Sequence, residues 1–251
     1  MPELLVRKNL WPNPEHAPKF RPALEAYRAA CLKLMRQLVH IVAVAIGEKE
    51  DFFDRKTTYP VAGIRALYYP PQAATEEEVT GHGAHTDIQG HEPDHLSDRS
   101  LLLILSAVMT MIAQSPHNSK ALQVLNANGE WISPNLKPET FVVNLGDMMS
   151  RLTNDTFLST VHRVQNNIPI CRYSLPFFFG LNGDELTTTL PQFVTPETPL
   201  REEYKTGMTG YEHYNRRLQG AHHKHPNAIG KVSPALPRGM TKIDGVLVEG
   251  M

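Results

Sequence analysis

Three metal-capable side chains on two distant stretches constrain this chain more than any other feature. The stretch Gly81-His82-Gly83-Ala84-His85-Thr86-Asp87 carries His85 and Asp87 two residues apart. In an extended strand, residues i and i+2 point to the same face, so one short segment can aim an imidazole and a carboxylate at one point. The glycines and alanine just before them leave room for close approach. Far downstream, Ser159-Thr160-Val161-His162-Arg163-Val164 reads as a β-strand carrying His162. Two histidines and one carboxylate can hold a metal ion on one face and leave its other positions open. Taken singly, each signal is weak: a lone strand histidine is more often packed or hydrogen-bonded than a ligand, and His-x-Asp matches arise by chance. A fold that uses all three must bring distant strands side by side.

The next strand strengthens the case. In Cys171-Arg172-Tyr173-Ser174-Leu175-Pro176-Phe177-Phe178-Phe179, Arg172 and Ser174 again share a face. A guanidinium is a planar fork that grips a carboxylate through two hydrogen bonds, and a serine hydroxyl beside it can donate another. The bland reading of Arg172 is a surface ion-pair partner; its i+2 serine and the Pro-Phe-Phe that follows favour burial. As an ordered set, His85-Thr86-Asp87, His162 and Arg172-Tyr173-Ser174 resemble the Fe(II)/2-oxoglutarate-dependent dioxygenases of the isopenicillin-N-synthase-like group. The surrounding words resemble that family too: Tyr68-Tyr69-Pro70-Pro71, Leu122-Gln123-Val124, Gly129-Glu130-Trp131, Val143-Asn144-Leu145-Gly146-Asp147 and Thr153-Asn154-Asp155. The resemblance implies a mainly β fold with flanking helices, the double-stranded β-helix (jelly roll, cupin-like). It implies Fe(II) on His85, Asp87 and His162, and 2-oxoglutarate with its far carboxylate on Arg172 and Ser174. Tyr69 would be a further 2-oxoglutarate contact, although Tyr68 and Tyr69 read equally well as ordinary strand aromatics. O2 would be the oxidant, ascorbate a further candidate cofactor, and the partner a small organic molecule, a secondary metabolite, that is hydroxylated, desaturated or ring-closed.

Composition bounds these expectations. With 251 residues, 41% of them hydrophobic, the chain can bury one sizeable core. A formal net charge of -1 gives no electrostatic reason to expect nucleic acid or an anionic membrane as partner. The two cysteines, Cys31 and Cys171, point to a reducing compartment. The opening residues lack the apolar core of a signal peptide, and the apolar run at residues 101–113 is short of a bilayer span, so a cytoplasmic protein is expected. Oligomeric state is open.

In chain order, residues 1–60 read as a helical flank, 61–200 as the catalytic core, and 201–251 as a C-terminal helix and tail. Pro22 opens a helix whose apolar stripe runs Leu24, Tyr27, Cys31, Leu34, Leu38, Ile41 and Ala45, with Gly47 at its end. Residues 61–70 form a candidate strand. After Asp87 the family would pass almost directly into a strand at Met109–Ala113; here residues 88–108 intervene, a long insertion for a compact domain. Within it His91 and His95 have helical spacing, but Pro93 lies between them. Beyond it, Leu122 and Val124 alternate, Asn128-Gly129 turns, and Trp131 returns. Thr140–Leu145 reads as a strand, Gly146-Asp147 as the start of a helical turn capped by Asp147, and residues 159–165 and 172–180 as strands. Residues 181–200 read as loop with an edge segment, and Tyr204–Leu218 as a helix. The His222, His223, His225 tract reads as surface.

Two other readings stand beside the enzyme. The chain begins partway into the family pattern, and deleting residues 88–105 restores the family's word order, as an unremoved intron or a misassigned exon would. A truncated or partly spliced, catalytically impaired isoform is therefore one alternative. A cupin-like module using another metal is the other, and Arg172-x-Ser174 speaks against it.

Overall fold

The structure, a computed structural model, describes residues 9, 11–72, 80–87, 107–115, 120–134, 137–165, 169–213, 240–243 and 246–249. The greater part of the 88–108 insertion, Glu76 to Glu78 and the His222, His223, His225 tract lie outside them. The long helix α1 (Phe20–Ala45) is followed by strands β1 (Pro60–Ile64), β2 (Leu67–Tyr69), β3 (Thr80–His85), β4 (Ala107–Ser115), β5 (Leu122–Leu125), β6 (Trp131–Ile132) and β7 (Val142–Leu145). A short helix α2 (Asp147–Leu152) then precedes β8 (His162–Gln165), β9 (Arg172–Asn182), β10 (Leu186–Thr187) and β11 (Met208–Thr209). The hairpin β12 (Met240–Ile243) and β13 (Val246–Glu249) closes the described chain.

Two antiparallel sheets carry the fold. The larger has the order β1-β9-β4-β7, with β2 also on β9; the smaller runs β3-β8-β5-β6. The expected strand at 61–70 is broken after Ile64. β1 pairs with the far end of β9 and β2 with its beginning, Tyr69 lying opposite Arg172. Alternation along the large sheet separates two cores. Met109, Met111, Phe177 and Phe179 pack with Cys31, Met35, Val39 and Ala43 of α1. Phe178 points the other way, as register with Thr110 requires. The opposite face packs Ile112 and Val142 against Leu122 and Val164 of the small sheet, with Tyr69 at the margin. This is the expected jelly roll: two facing sheets with the helix outside.

Several local expectations need correction. α1 begins at Phe20, so Pro22 sits third within it, harmlessly, because the first four N–H groups of a helix have no partner in it. Its buried stripe is Cys31, Met35, Val39 and Ala43, not the sequence through Ile41 and Ala45. A strict 3-4 alternation has a period of 3.5 and drifts about 20° per heptad on a straight helix, so its later members leave the buried face. Ile41 is 65% exposed. Gly47 does end the helix, at φ +81. Asp147 is the first residue of α2 and not its cap; Gly146 holds that position, with no side-chain cap bond. Glycine is required there, since a Cβ would lie 2.2 Å from the carbonyl oxygen of Ala107. The helix expected from Tyr204 begins instead at Gly210. Before it the chain forms only a single 3-10 turn, Glu202–Tyr204; Arg151 takes the carbonyls of Glu203 and Thr206, and β11 pairs with β10, which keeps that turn from continuing as α-helix. Thr209 and Glu212 form a reciprocal capping box: the Glu212 N–H donates to Thr209 Oγ1 at 3.1 Å, and the Thr209 N–H to Glu212 Oε2 at 2.8 Å. Both cysteines are free thiols. No helix among the described residues is long and apolar enough to cross a membrane.

The phase of α1 is testable. Met35, fully buried, should cost roughly 2–5 kcal/mol on Met35→Ala. Ile41→Ala should stay within about 0.5 kcal/mol. Urea unfolding of both variants measures the difference, and equal losses would put the buried face elsewhere.

Candidate metal and carboxylate site

Antiparallel pairing of β3 with β8 sets His85 directly opposite His162. On its other side His162 faces Val124 of β5, so the residue is held from both flanks. The two imidazole centroids are 4.2 Å apart. Asp87 lies beyond the end of β3, on a bend. The expectation that it shares a strand face with His85 therefore fails in its geometry, yet the outcome is the same. One ligand atom from each of His85, Asp87 and His162 falls within 4.8 Å of the others. His162 Nε2 lies 3.4 Å from Asp87 Oδ1. Asp87 and His162 are buried, the carboxylate 3% exposed.

Both histidines are oriented by their own backbone. His85 Nδ1 donates to the Gly83 carbonyl at 2.7 Å, and His162 Nδ1 to the Thr160 carbonyl at 3.1 Å. A carbonyl only accepts, so each Nδ1 carries a proton and each Nε2 is the ring nitrogen left for a metal. Burial, reinforced by the neighbouring His162, pushes the His85 pKa down to about 4, against the pull of the Gly83 carbonyl and Asp87. His85 is thus neutral at physiological pH, the form that binds a metal. Asn144 of β7 donates from Nδ2 to Asp87 Oδ2 at 2.6 Å, which leaves Oδ1 toward the histidines. Two oriented imidazoles with a braced carboxylate are a donor set that fits a divalent first-row metal.

Arg172 and Ser174 open β9 with their side chains on the inner face, and the exposed Tyr173 between them faces outward. Arg172 is 1% exposed. Gln114 Oε1 accepts from its Nε at 3.2 Å and its Nη2 at 2.7 Å. The ring of Tyr69 lies beneath the guanidinium, 4.9 Å from its centroid to Arg172 Cζ. Burial lowers the pKa of Arg172, and Tyr69 counters this. Among the described residues its buried Nη1 has no hydrogen-bond partner. A buried cationic donor left unmet is costly, and a carboxylate is the ligand that satisfies it.

A cavity of about 240 Å³ lies between the sheets, walled by Ile112, Leu122, Val124 and Val142, with Asn144, Thr160 and His162 as its polar residues. A recess of about 300 Å³ elsewhere, bounded by Asn154, Asp155 and Arg201, is of another kind. There Asp155 pairs with Arg201 and Tyr204, and Asn154 Nδ2 donates to three carbonyls, so its polar groups hold a loop in place.

Sequence reasoning missed Asn144 and Gln114 as parts of the site. The available signal was chemical: each is an amide in a largely apolar strand, where a polar group facing the interior needs a specific partner.

Comparison with known proteins points the same way. Residues 104–181, which include His162, Arg172 and Ser174, match the model of the 2OG-Fe(II) oxygenase superfamily. The chain is 32% identical over 225 residues to the 2-oxoglutarate-Fe(II) type oxidoreductase hxnY of Emericella nidulans, covering 84% of this chain and 59% of that one. A 2OG-Fe(II) oxygenase family protein of Caulobacter crescentus superposes with a TM-score of 0.70 at 29% identity, over 87% of this chain and 64% of the other. JOX2, solved in complex with 2OG, Fe and JA, superposes with a TM-score of 0.66 at 26% identity, over 87% and 56%. This chain thus spans under two thirds of the length of each. Carrying the family's matched strands, its jelly roll and a buried His-Asp-His cluster, the chain belongs to the 2OG-Fe(II) oxygenase superfamily.

Proposed function

We propose that His85, Asp87 and His162 hold Fe(II), that Arg172 with Ser174 and Tyr69 receives the far carboxylate of 2-oxoglutarate, and that the chain oxidises a small organic molecule with O2, in the manner of the isopenicillin-N-synthase-like group. The observation that carries this reading is the convergence, within 4.8 Å, of two imidazoles and one carboxylate, each imidazole oriented through Nδ1 by a backbone carbonyl. When bound, the iron and 2-oxoglutarate supply the activation of O2, with release of succinate and CO2. The chain's own residues orient, exclude water and set charge. Asn144 takes one oxygen of Asp87, so the carboxylate presents the other toward the histidines. Val124 and Leu122 give the cavity beside His162 apolar walls. Arg172 offers Nη1 as a charge-assisted donor, the strong class of hydrogen bond for a carboxylate.

The substrate is proposed as a small secondary metabolite, hydroxylated, desaturated or ring-closed, with ascorbate as the reductant that maintains the iron. The jasmonate-type ligand abbreviated JA in JOX2 belongs to that protein; it supports a small organic acid or similar molecule here only by kinship. Succinate release from iron-reconstituted protein, screened across candidate metabolites, tests turnover. Tight binding of both iron and 2-oxoglutarate with no succinate under any substrate would make this form a binding protein.

Iron or Mn(II) titration should give one site per chain in the wild type and none in His162→Ala. Asn144→Ala should weaken the metal about ten- to hundredfold, as loss of a ligand's supporting hydrogen bond does; unchanged affinity would remove Asn144 from the site. Arg172→Lys should weaken 2-oxoglutarate while metal affinity holds, because a point charge replaces a planar fork; equal affinity for the acid would end the clamp assignment. The protonation of His85 gives a pH test on chelator-treated protein. Unfolded His85 takes up a proton below about pH 6.5, whereas the folded residue resists until about 4. Stability is therefore whole above that window and falls as pH drops through it. Thermal unfolding against pH should show a shallower fall in His85→Gln, and identical slopes would contradict a neutral buried imidazole.

A further inference from the structure

The clamp holds a feature that Arg172 alone does not explain. A guanidinium that is 1% exposed has, among the described residues, no carboxylate ion-paired to it. Elsewhere in the same molecule basic groups find acids: Lys56 meets Glu185 at 2.5 Å, and Arg201 meets Asp155 at 2.6 Å. Burying a cation without a counter-charge is costly. A glutamate at position 114 would relieve that cost with almost no change of shape, yet the chain has an amide there. Its one carbonyl oxygen accepts from both Nε and Nη2. This covers one edge of the guanidinium fork and fixes its plane against the Tyr69 ring. The other edge, with the unpartnered Nη1, stays open. Gln114 also lies directly opposite Ser174 across β4 and β9, so all three side chains share one face.

We propose that Gln114 is a positioning residue for the carboxylate clamp: it aims the guanidinium of Arg172 and, being neutral, leaves its positive charge for the incoming acid. The inference rests on Arg172 as the 2-oxoglutarate clamp and adds to it the reason for an amide beside the cation. It yields an order of effects that a packing role does not. For a packing role, the best replacement is the one that keeps the bonds to the buried cation, Gln114→Glu, and the worst is the similarly sized Gln114→Met, which leaves three buried donors unmet. For a positioning role, Gln114→Glu is the worst, since it cancels the charge that 2-oxoglutarate needs.

The test is calorimetric titration of 2-oxoglutarate into Mn(II)-loaded full chain, without O2, with thermal unfolding of each variant. Gln114→Glu should match or exceed wild-type thermal stability, retain Mn(II) affinity, and lose about ten- to hundredfold in 2-oxoglutarate affinity, the range expected for a hydrogen bond to a charged group. Gln114→Met should be less stable than wild type and lose less affinity than Gln114→Glu. Wild-type affinity in Gln114→Glu, or a reversed order, overturns the proposal. If Gln114→Glu does not fold, Gln114→Met decides alone: lowered 2-oxoglutarate affinity with Mn(II) affinity intact supports the role, and unchanged affinity overturns it. Arg172→Lys separates the two levels. If it weakens 2-oxoglutarate while the Gln114 variants do not, only this inference fails; if neither does, the clamp fails with it.

Discussion

The pairing of His85 with His162 across β3 and β8 is the interaction on which the site depends. Side chains directly opposite in an antiparallel pair have Cβ atoms roughly 5 Å apart, the separation at which two imidazoles can converge on one ion. The pairing is non-local, so it exists only because the small sheet is assembled, with β8 held between β3 and β5. Its register is strict. Val164, two residues beyond His162, belongs to the inner core, and a one-residue slip would turn Val164 to solvent and His162 away from His85 together. Core and site thus enforce the same alignment.

The large sheet answers with charge of the opposite kind. On the small sheet lie two imidazoles, with one carboxylate on the bend that follows β3; on the large sheet lies a cation with no carboxylate ion-paired to it among the described residues. Arg172 is the first residue of β9, yet it is not on a loose end. β2 lies on one side of it with Tyr69, and β4 on the other with Gln114. All three parts of the clamp stand on ladder-bonded strands, where side chains are held more closely than on loops. The same strand serves stability farther along: Phe177 and Phe179 seal the face under α1. Holding the clamp and holding the helix are two faces and two stretches of one strand.

What the sequence disclosed and what it hid divide along physical lines. The candidate site was legible because His85, Asp87, His162, Arg172 and Ser174 are residue types with few structural uses inside strands. The period of α1 was legible, but its phase was not, because a 3.5 and a 3.6 repeat differ little until several turns have passed and Ile41 has rotated out. The helix after Thr209 was displaced because the carbonyls upstream are claimed by Arg151, a tertiary bond with no local signature. The box of Thr209 and Glu212, by contrast, stood in the sequence as a start signal. Asn144 and Gln114 could not be assigned in advance, since an amide's role is set by the partner it meets. Most of the insertion after Asp87, residues 88–106, lies outside the described residues.

Asp87 shows why those amides matter. It is the one member of the triad that no strand holds, lying on a bend past β3. A carboxylate on a bend can rotate, and a rotating ligand binds a metal poorly because its freedom must be lost on binding. The bond from Asn144 removes that freedom. Asn144 stands on β7 of the large sheet, whereas Asp87 follows β3 of the small one, so the bond also ties the two sheets at the proposed metal site. The close approach of Gly146 to β4, which admits no side chain, fixes the end of β7 from which Asn144 projects. A backbone constraint with no chemistry of its own is thereby carried, through one strand and one amide, to the least supported ligand of the triad.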